Sequence, residues 1–457
     1  MVARFRFAPS PTGIPHIGNL HTALFSWSLA RTMGGDFVLR IEDSDSARIT
    51  PAATQQMLDA LTWLGIDWDE GPDIGGDYGP YVQSQRRPSH QRVITQLVDE
   101  GHAYYGDNPA HSASPANNPL RLHMPQTGET VLRDAIRGPI HFDNSLNKDA
   151  ILVRSDGRPL YHLAAMVDDH DMGITHVTRG EEWIASSPIH IQFYTAMGWP
   201  QPVWIHLPLI LNKHGQKLSK RDPEGGDPKG GYLITDFQEA GYLPQAVWNY
   251  LLLLGWTPDG EQEIVDKWTV RKQLRLERLS ASPATFDWDK LQWVNRQYLQ
   301  KLSDTAVAEG IRPFLEDVYD TPLDDKWLLR LTTTIRDGLK TYADGVDLAA
   351  WAFPDGYELT AVGAAALTSS TAKPVLAWLI AELAAIVLLD EATAHSILNG
   401  IRQRGQAQYG WRAPDIYQPI RAALTGDVNG PPLPAIMSIL GKENALQRLA
   451  NGIKYKA

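Results

Sequence analysis

Residues 4–25 read RFRFAPSPTGIPHIGNLHTALF. The opening residues alternate arginine and phenylalanine, as a short strand does. A proline- and glycine-rich turn follows, and then Leu20, Ala23, Leu24 and Trp27 recur at helical spacing. Gly34 and Gly35 stop that helix, and FVLRI (37–41) reads as a second, buried strand closed by Glu42 and Asp43. The pattern predicts a βαβ unit with an elaborate first turn. In such a unit the helix N-terminus aims its amides past the strand ends, where phosphate binds well.

Working outward, helices are predicted at about 52–64 and 89–100, and residues 106–119 have loop composition. Residues 120–165 look β-rich. ILVR and RPLYHL flank Ser155-Asp156-Gly157 as a hairpin would, so an antiparallel insertion interrupts the βα pattern. A strand resumes at 174–180, and a helix follows over about 187–197. Residues 222–231 form a Gly-rich connector, and from about 232 the pattern is mostly helical, with helix-period stretches at Leu328–Tyr342 and Val375–Leu389.

The chain has 457 residues, enough for about three domains. Its 43% hydrophobic and 21% charged content is that of a soluble globular protein, neither disordered nor fibrous. A net charge of −11 disfavours a generic polyanion coat but leaves room for a local basic surface. With no cysteine, disulfides, thiolate zinc sites and sulfur redox chemistry are excluded. The first residues lack a signal-peptide core, and Val375–Leu389 is too short for a bilayer and contains Glu382. A cytoplasmic protein without membrane contact is expected. Residues 301–399 carry 7 Lys/Arg against 15 Asp/Glu, a net of −8, whereas residues 400–457 carry 8 against 3, a net of +5. Arg402, Arg404 and Arg412 interleave there with Tyr409 and Trp411, a pattern that suits nucleic acid, although a solvated basic face over core aromatics would read the same.

Two short motifs carry the chemistry. His16-Ile17-Gly18-Asn19 lies in the strand-to-helix turn, where His16 could donate to phosphate oxygens and Gly18 leaves room for a ribose or adenine. Lys217-Leu218-Ser219-Lys220-Arg221 puts three cations in five residues beside the Gly-rich connector, suited to neutralising a leaving pyrophosphate. Alone, each has an ordinary structural explanation. Together they resemble the HIGH and KMSKS signatures of the class I aminoacyl-tRNA synthetases, and specifically the glutamyl-tRNA synthetase branch. LRIEDSD (39–45), GPYVQSQR (79–86), YHLAAMVDDHDMGITHVTRGEEW (161–183), FDWDKLQWVN (286–295), RAALTG (421–426) and IMSILGKENALQRL (436–449) extend the resemblance over nearly the whole chain.

The resemblance implies an α/β Rossmann-type catalytic region over 1–305. Within it an acceptor-end insertion is expected at about 83–163 and a stem-contact region at about 216–305. An all-α anticodon-binding half is implied over 306–457. The implied reaction joins L-glutamate to tRNA-Glu through a glutamyl-adenylate, with ATP entering as its Mg²⁺ complex and no zinc. His16, Gly18, Lys217 and Lys220 are the implied catalytic groups. Pro9, Asn19, Glu182, Leu209 and Ile210 join them around ATP. Arg6, Ala8, Ser10, Glu42, Tyr161 and Arg179 are implied to hold glutamate: Arg6 its side-chain carboxylate, where a guanidinium fork fits well, and Glu42 its ammonium. A plain Arg6–Glu42 pair across adjacent strands is the alternative. The tRNA would meet Arg402, Arg404, Tyr409, Trp411 and Arg412, and the enzyme would act as a monomer.

Asn19 replaces the second signature histidine, Ala165 stands where some relatives have a polar residue, and the segment before Pro119 is short. Asp168-Asp169-His170-Asp171 is read as a hydrogen-bonded turn rather than a metal site. Rival readings are an enzyme that also charges tRNA-Gln, a tRNA-binding paralogue without aminoacylation, and a tRNA-base-modifying relative. Intact HIGN and KLSKR and the long helical C-terminal part disfavour the last two.

Overall fold

Arg4–Phe7 forms β1, buried along its whole length. The structure is a computed structural model and describes residues 2–43, 50–218, 231–260 and 262–455. It divides into two units after Val294.

In the first unit, α1 (Ile17–Met33) starts at His16, whose Nδ1 accepts the Gly18 N–H at 3.1 Å. It stops at Gly34, whose φ of 64° is a left-handed conformation that costs glycine little. β2 (Asp36–Leu39) then pairs parallel to β1, completing the expected βαβ unit. Next come α2 (Pro51–Trp63), capped by the Thr50 hydroxyl, and α3 (Arg87–Asp99). Five short strands follow: β3 (Ala103–Tyr105), β4 (Leu120–Leu122), β5 (Glu129–Asp134), β6 (Gly138–Asp143) and β7 (Ala150–Val153). After them come α4 (Tyr161–Asp171), β8 (His176–Gly180), α5 (Ser187–Ala196) and β9 (Val203–Leu207). β10 (Ile210–Leu211) and β11 (Ala284–Thr285) form a small parallel pair.

The main sheet runs β2-β1-β8-β9-β5-β6, parallel except for the β5–β6 hairpin. The chain leaves β1 toward β2 and returns to β1's other side with β8. The strand order therefore reverses between β1 and β8, and a crevice opens beyond their C-terminal ends. The insertion is built in two parts. The β5–β6 hairpin joins the main sheet through Asp134, which pairs with Trp204 of β9. β3, β4 and β7 form a separate antiparallel sheet.

The hairpin expected around Ser155-Asp156-Gly157 is present but short: the Arg154 N–H meets the Arg158 carbonyl at 2.9 Å, the Leu160 N–H meets the Leu152 carbonyl at 2.8 Å, and Pro159 bridges Val153. Its returning arm ends at Leu160, because Tyr161 opens α4. Every residue from Leu163 to Asp169 is buried, so this helix is covered on all sides, which a two-residue alternation cannot reveal. Asp168 and Asp169 accordingly belong to the end of a helix, not a turn.

Among the described residues of the second unit, long helices span Asp304–Tyr319, Asp325–Ile335, Ala372–Ala385, Glu391–Tyr409, Ala413–Thr425 and Leu433–Lys454. Leu376, Leu379, Leu383, Ile436 and Leu449 are fully buried in its core. The helix expected to reach Leu389 ends at Ala385, and Val387 and Leu388 are exposed. Arg448 staples three segments, donating to the carbonyls of Trp351, Leu424 and Phe353.

Candidate active site

A cavity of about 590 Å³ opens at the crevice between β1 and β8. Arg6, Ala8, Pro9 and Ser10 reach it from the end of β1, and His16, Gly18 and Asn19 from the start of α1. Glu42 arrives after β2, Tyr161 from the first turn of α4, and Arg179 and Glu182 from the end of β8. Leu209, Ile210 and Lys217 close the side beyond β9. Residues as far apart in sequence as Arg6 and Leu218 thus line one space. Lys220 lies outside the described residues.

One end of the cavity is built from buried charge. Arg6 Nε donates to Asp169 Oδ1 at 3.1 Å, and Arg40 Nη1 donates to the same oxygen at 2.7 Å. Arg40 also binds Glu42 Oε1 at 3.0 Å. The cross-strand alternative is thereby replaced: Asp169 takes Arg6, and Arg40 takes Glu42. Burial disfavours the Arg6 cation, but the Asp169 carboxylate more than offsets this and raises its pKa. Burial also raises the Glu42 pKa, against the pull of Arg40.

Arg179 differs from Arg6. Its Nε donates to His206 Nε2 at 2.9 Å, its Nη1 meets His190 Nδ1 at 3.0 Å, and its Nη2 donates to Ser187 Oγ at 3.1 Å. Its guanidinium also lies 4.8 Å from the Trp204 ring centroid. Burial, helped by the nearby Arg6 cation, lowers its pKa against the pull of the Tyr161 phenol and the Asp169 carboxylate. Tyr161 itself packs against Trp183 in a tilted contact with ring centroids 4.3 Å apart, and burial raises its pKa.

At the other end, His16 accepts through Nδ1, so a neutral ring carries its proton on Nε2. Lys217 Nζ lies 3.1 Å from Glu182 Oε1 in an exposed pair. Both backbone groups of Leu209 are engaged: its N–H by Glu181 Oε1 at 2.9 Å and its carbonyl by the Ala284 N–H at 3.3 Å.

The acidic run at the end of α4 holds the first unit together. Asp168 is fully buried and accepts from Arg86, Gln83 and His90. Burial works against its charge, yet His90 and Arg40 hold its pKa below the usual range. No group of three or more metal-ligating side chains occurs among the described residues.

The model of the class I tRNA synthetase (E and Q) catalytic domain matches residues 2–114 and 107–293, and that of an anticodon-binding domain matches 306–453. The chain is 37% identical to a glutamate–tRNA ligase of Thermus thermophilus over 98% of this chain and 99% of that one. The chain belongs to the glutamate–tRNA ligases. A second member of the family, from Dehalococcoides mccartyi, is 36% identical over 98% of this chain and 97% of its own. The crystal structure of a glutamate tRNA ligase from Elizabethkingia meningosepticum, in complex with its amino acid, superposes with a TM-score of 0.88. It has 30% identity and covers 99% of both chains. The architecture is therefore that of the family: a class I catalytic region followed by a helical anticodon-binding domain.

In the second unit of this ligase, Arg402, Arg404 and Arg412 are exposed. Tyr409 is 59% exposed and stacks on Trp411 with centroids 4.7 Å apart. The aromatics at this patch are therefore not core residues. Trp378 extends the stack at 5.5 Å from Trp411, with Arg404 over its face at 4.2 Å. Trp378 carried no signal in sequence, because it comes from a different helix. His190 and His206 give equally little signal, each being a single polar residue in an otherwise apolar buried segment, whereas Asp169 stands in a visible acidic run whose pairing with Arg6, 163 residues away, the sequence does not show.

Proposed function

We infer that the chain charges tRNA-Glu with L-glutamate in two steps, and that the cavity's residues act in the roles their chemistry suits. The observation that carries the amino-acid assignment is the charge pattern at one end of the cavity. Two buried arginines and one buried glutamate face a single space. Glutamate brings two carboxylates and one ammonium, the complementary set. Arg6 and Arg179 would hold the side-chain carboxylate, and Glu42 the ammonium. Ala8, Ser10 and Tyr161 would complete the wall.

This placement leaves the α-carboxylate toward His16 and Lys217. It attacks the α-phosphorus of ATP, forming glutamyl-adenylate and releasing pyrophosphate. A ribose hydroxyl of the terminal tRNA adenosine then takes the glutamyl group and releases AMP. Neither step requires a protein nucleophile, so positioning and phosphate-charge stabilisation carry the catalysis. His16 Nε2–H and the first amides of α1 would meet phosphate oxygens. Lys217 would exchange Glu182 for phosphate, joined by Lys220 of the same motif. Pro9, Gly18, Asn19, Leu209 and Ile210 would frame the nucleoside. Mg²⁺ would enter on the ATP phosphates as part of the substrate.

Arg402, Arg404 and Arg412 around the Tyr409–Trp411–Trp378 stack are proposed to meet the anticodon end of tRNA, the cations on phosphate and an aromatic face under a base. The enzyme is proposed to act as a monomer in the cytoplasm. Labelled glutamate, ATP and separately transcribed tRNA-Glu and tRNA-Gln test the reading: tRNA-Glu should be charged, and charging of neither would overturn it.

A further inference from the structure

Arg179 is buried, yet its side-chain donors meet neutral groups. Because Arg179 Nε–H points at His206 Nε2, His206 must carry its proton on Nδ1, and that proton faces Asp134 Oδ2 at 2.7 Å. Asp134 is fixed in turn: its Oδ1 accepts the Ile136 and Arg137 amides at 2.9 Å each, and its Oδ2 also takes the His206 amide at 3.0 Å. On the other side, Arg179 Nη1 donates to His190 Nδ1, which places the His190 proton on Nε2, 3.0 Å from His162 Nδ1. The Ser187 hydroxyl donates to the Trp183 carbonyl at 3.3 Å. His206, His190 and Ser187 are therefore each held in their accepting form by a second group behind them. Burial, with the nearby Arg179 charge, keeps His190, His206 and His162 below the usual histidine range, so all three rings stay neutral.

The contrast with Arg6 defines the consequence. Arg6 is met directly by the Asp169 carboxylate. Arg179 is separated from Asp134 by an imidazole, which conveys orientation without cancelling charge. We propose that Asp134, His206 and His190 are positioning residues that fix the Arg179 fork with neutral acceptors, so that the substrate's side-chain carboxylate supplies the missing negative charge. The proposal rests on the reading of Arg179 as a carboxylate anchor. It makes the insertion hairpin, through Asp134, a determinant of amino-acid affinity.

Asp134→Asn is the sharpest probe, because it changes no volume. If the amide donates to His206 Nδ1, the ring proton moves to Nε2 and opposes Arg179. If the amide is reversed, it opposes the Ile136 and Arg137 amides instead. His206→Leu removes the acceptor, while His206→Gln restores a carbonyl near the Nε2 position. Steady-state aminoacylation of full-length tRNA by the full chain gives KM for glutamate and for ATP separately, with Arg179→Ala as reference. Asp134→Asn and His206→Leu should raise the glutamate KM by about 10- to 100-fold, the worth of one hydrogen bond to a charged group, with the ATP KM within about twofold of wild type. His206→Gln should recover most of that loss. If Arg179→Ala raises the glutamate KM and Asp134→Asn leaves it unchanged, the positioning role is wrong and the anchor stands. If Arg179→Ala itself leaves it unchanged, the anchor fails and the proposal with it. Parallel rises in both KM values, or a His206→Gln variant as poor as His206→Leu, would reduce the network to a structural one and overturn the proposal. Should His206→Leu not fold, Asp134→Asn decides alone.

Discussion

Arg6 Nε donates to Asp169 Oδ1 across 163 residues of sequence. Asp169 is fully buried and holds Arg40 with the same oxygen. Removing it leaves the buried Arg6 without its carboxylate and takes from Arg40 one of its partners, Glu42 remaining at 3.0 Å. Asp169→Ala should cost about 3–5 kcal/mol, the range for breaking a buried ion pair from one side. Urea denaturation of the variant and wild type measures it, and a loss below about 1 kcal/mol would contradict the pairing.

Lys217 and Glu182 are both about half exposed, so their pair should add only about 0–1 kcal/mol to stability. Lys217→Ala should therefore leave the thermal midpoint unchanged. Aminoacylation should nevertheless fall, by about 10²–10³ for Lys220→Ala if it stabilises the departing pyrophosphate. Near-normal turnover by Lys220→Ala would remove that role.

Glutamine presents an amide where the site offers a cation. Leaving Arg179 unmatched in a buried cavity should make the enzyme reject glutamine by about 10⁴-fold or more in kcat/KM. Parallel assays with the two amino acids and the same tRNA give the ratio. A ratio near ten would place the side-chain carboxylate elsewhere.

The aromatic patch yields two separable effects. Replacing Arg402, Arg404 and Arg412 together by alanine should raise the KM for tRNA, flatten its salt dependence and spare the KM for ATP. Trp378→Ala should weaken tRNA by about 1–3 kcal/mol, the worth of one stacked base, without changing the salt slope. A filter-binding series over salt concentration distinguishes them.

Burial lowers the His21 pKa from 6.5 to about 4. The unfolded chain therefore takes up this proton first as pH falls. Stability linked to neutral His21 is complete above about pH 6.5 and is lost on descending toward about pH 4, by at most ~3 kcal/mol. His21→Gln should flatten the stability–pH curve across that window. An unchanged slope in denaturation at stepped pH would show that the folded His21 titrates normally.

The parts of this fold that could be read in sequence are local. Strand, turn and helix at 4–25 obey short-range rules, and cavity residues from Arg6 to Lys217 cluster in motifs of a few residues. α4 was misread because a helix buried on every face has no apolar stripe to find. The partners of Arg179 were invisible for another reason. A histidine in a strand and a histidine in a helix acquire meaning only when the fold sets both against one guanidinium. Trp378 is the same case on the surface, joining Tyr409 and Trp411 from another helix.

The hairpin of β5 and β6 prolongs the main sheet instead of standing off it. Trimming the insertion from this enzyme, or swapping it for another, would therefore bare β9 where the hairpin meets it, freeing the Trp204 carbonyl from the Ala135 N–H and the His206 amide from Asp134. An open strand edge of that kind invites pairing with a neighbouring chain. A minimal enzyme cut from this scaffold would keep the hairpin and shed only β3, β4 and β7, and its solubility on expression would report whether the cut was placed correctly.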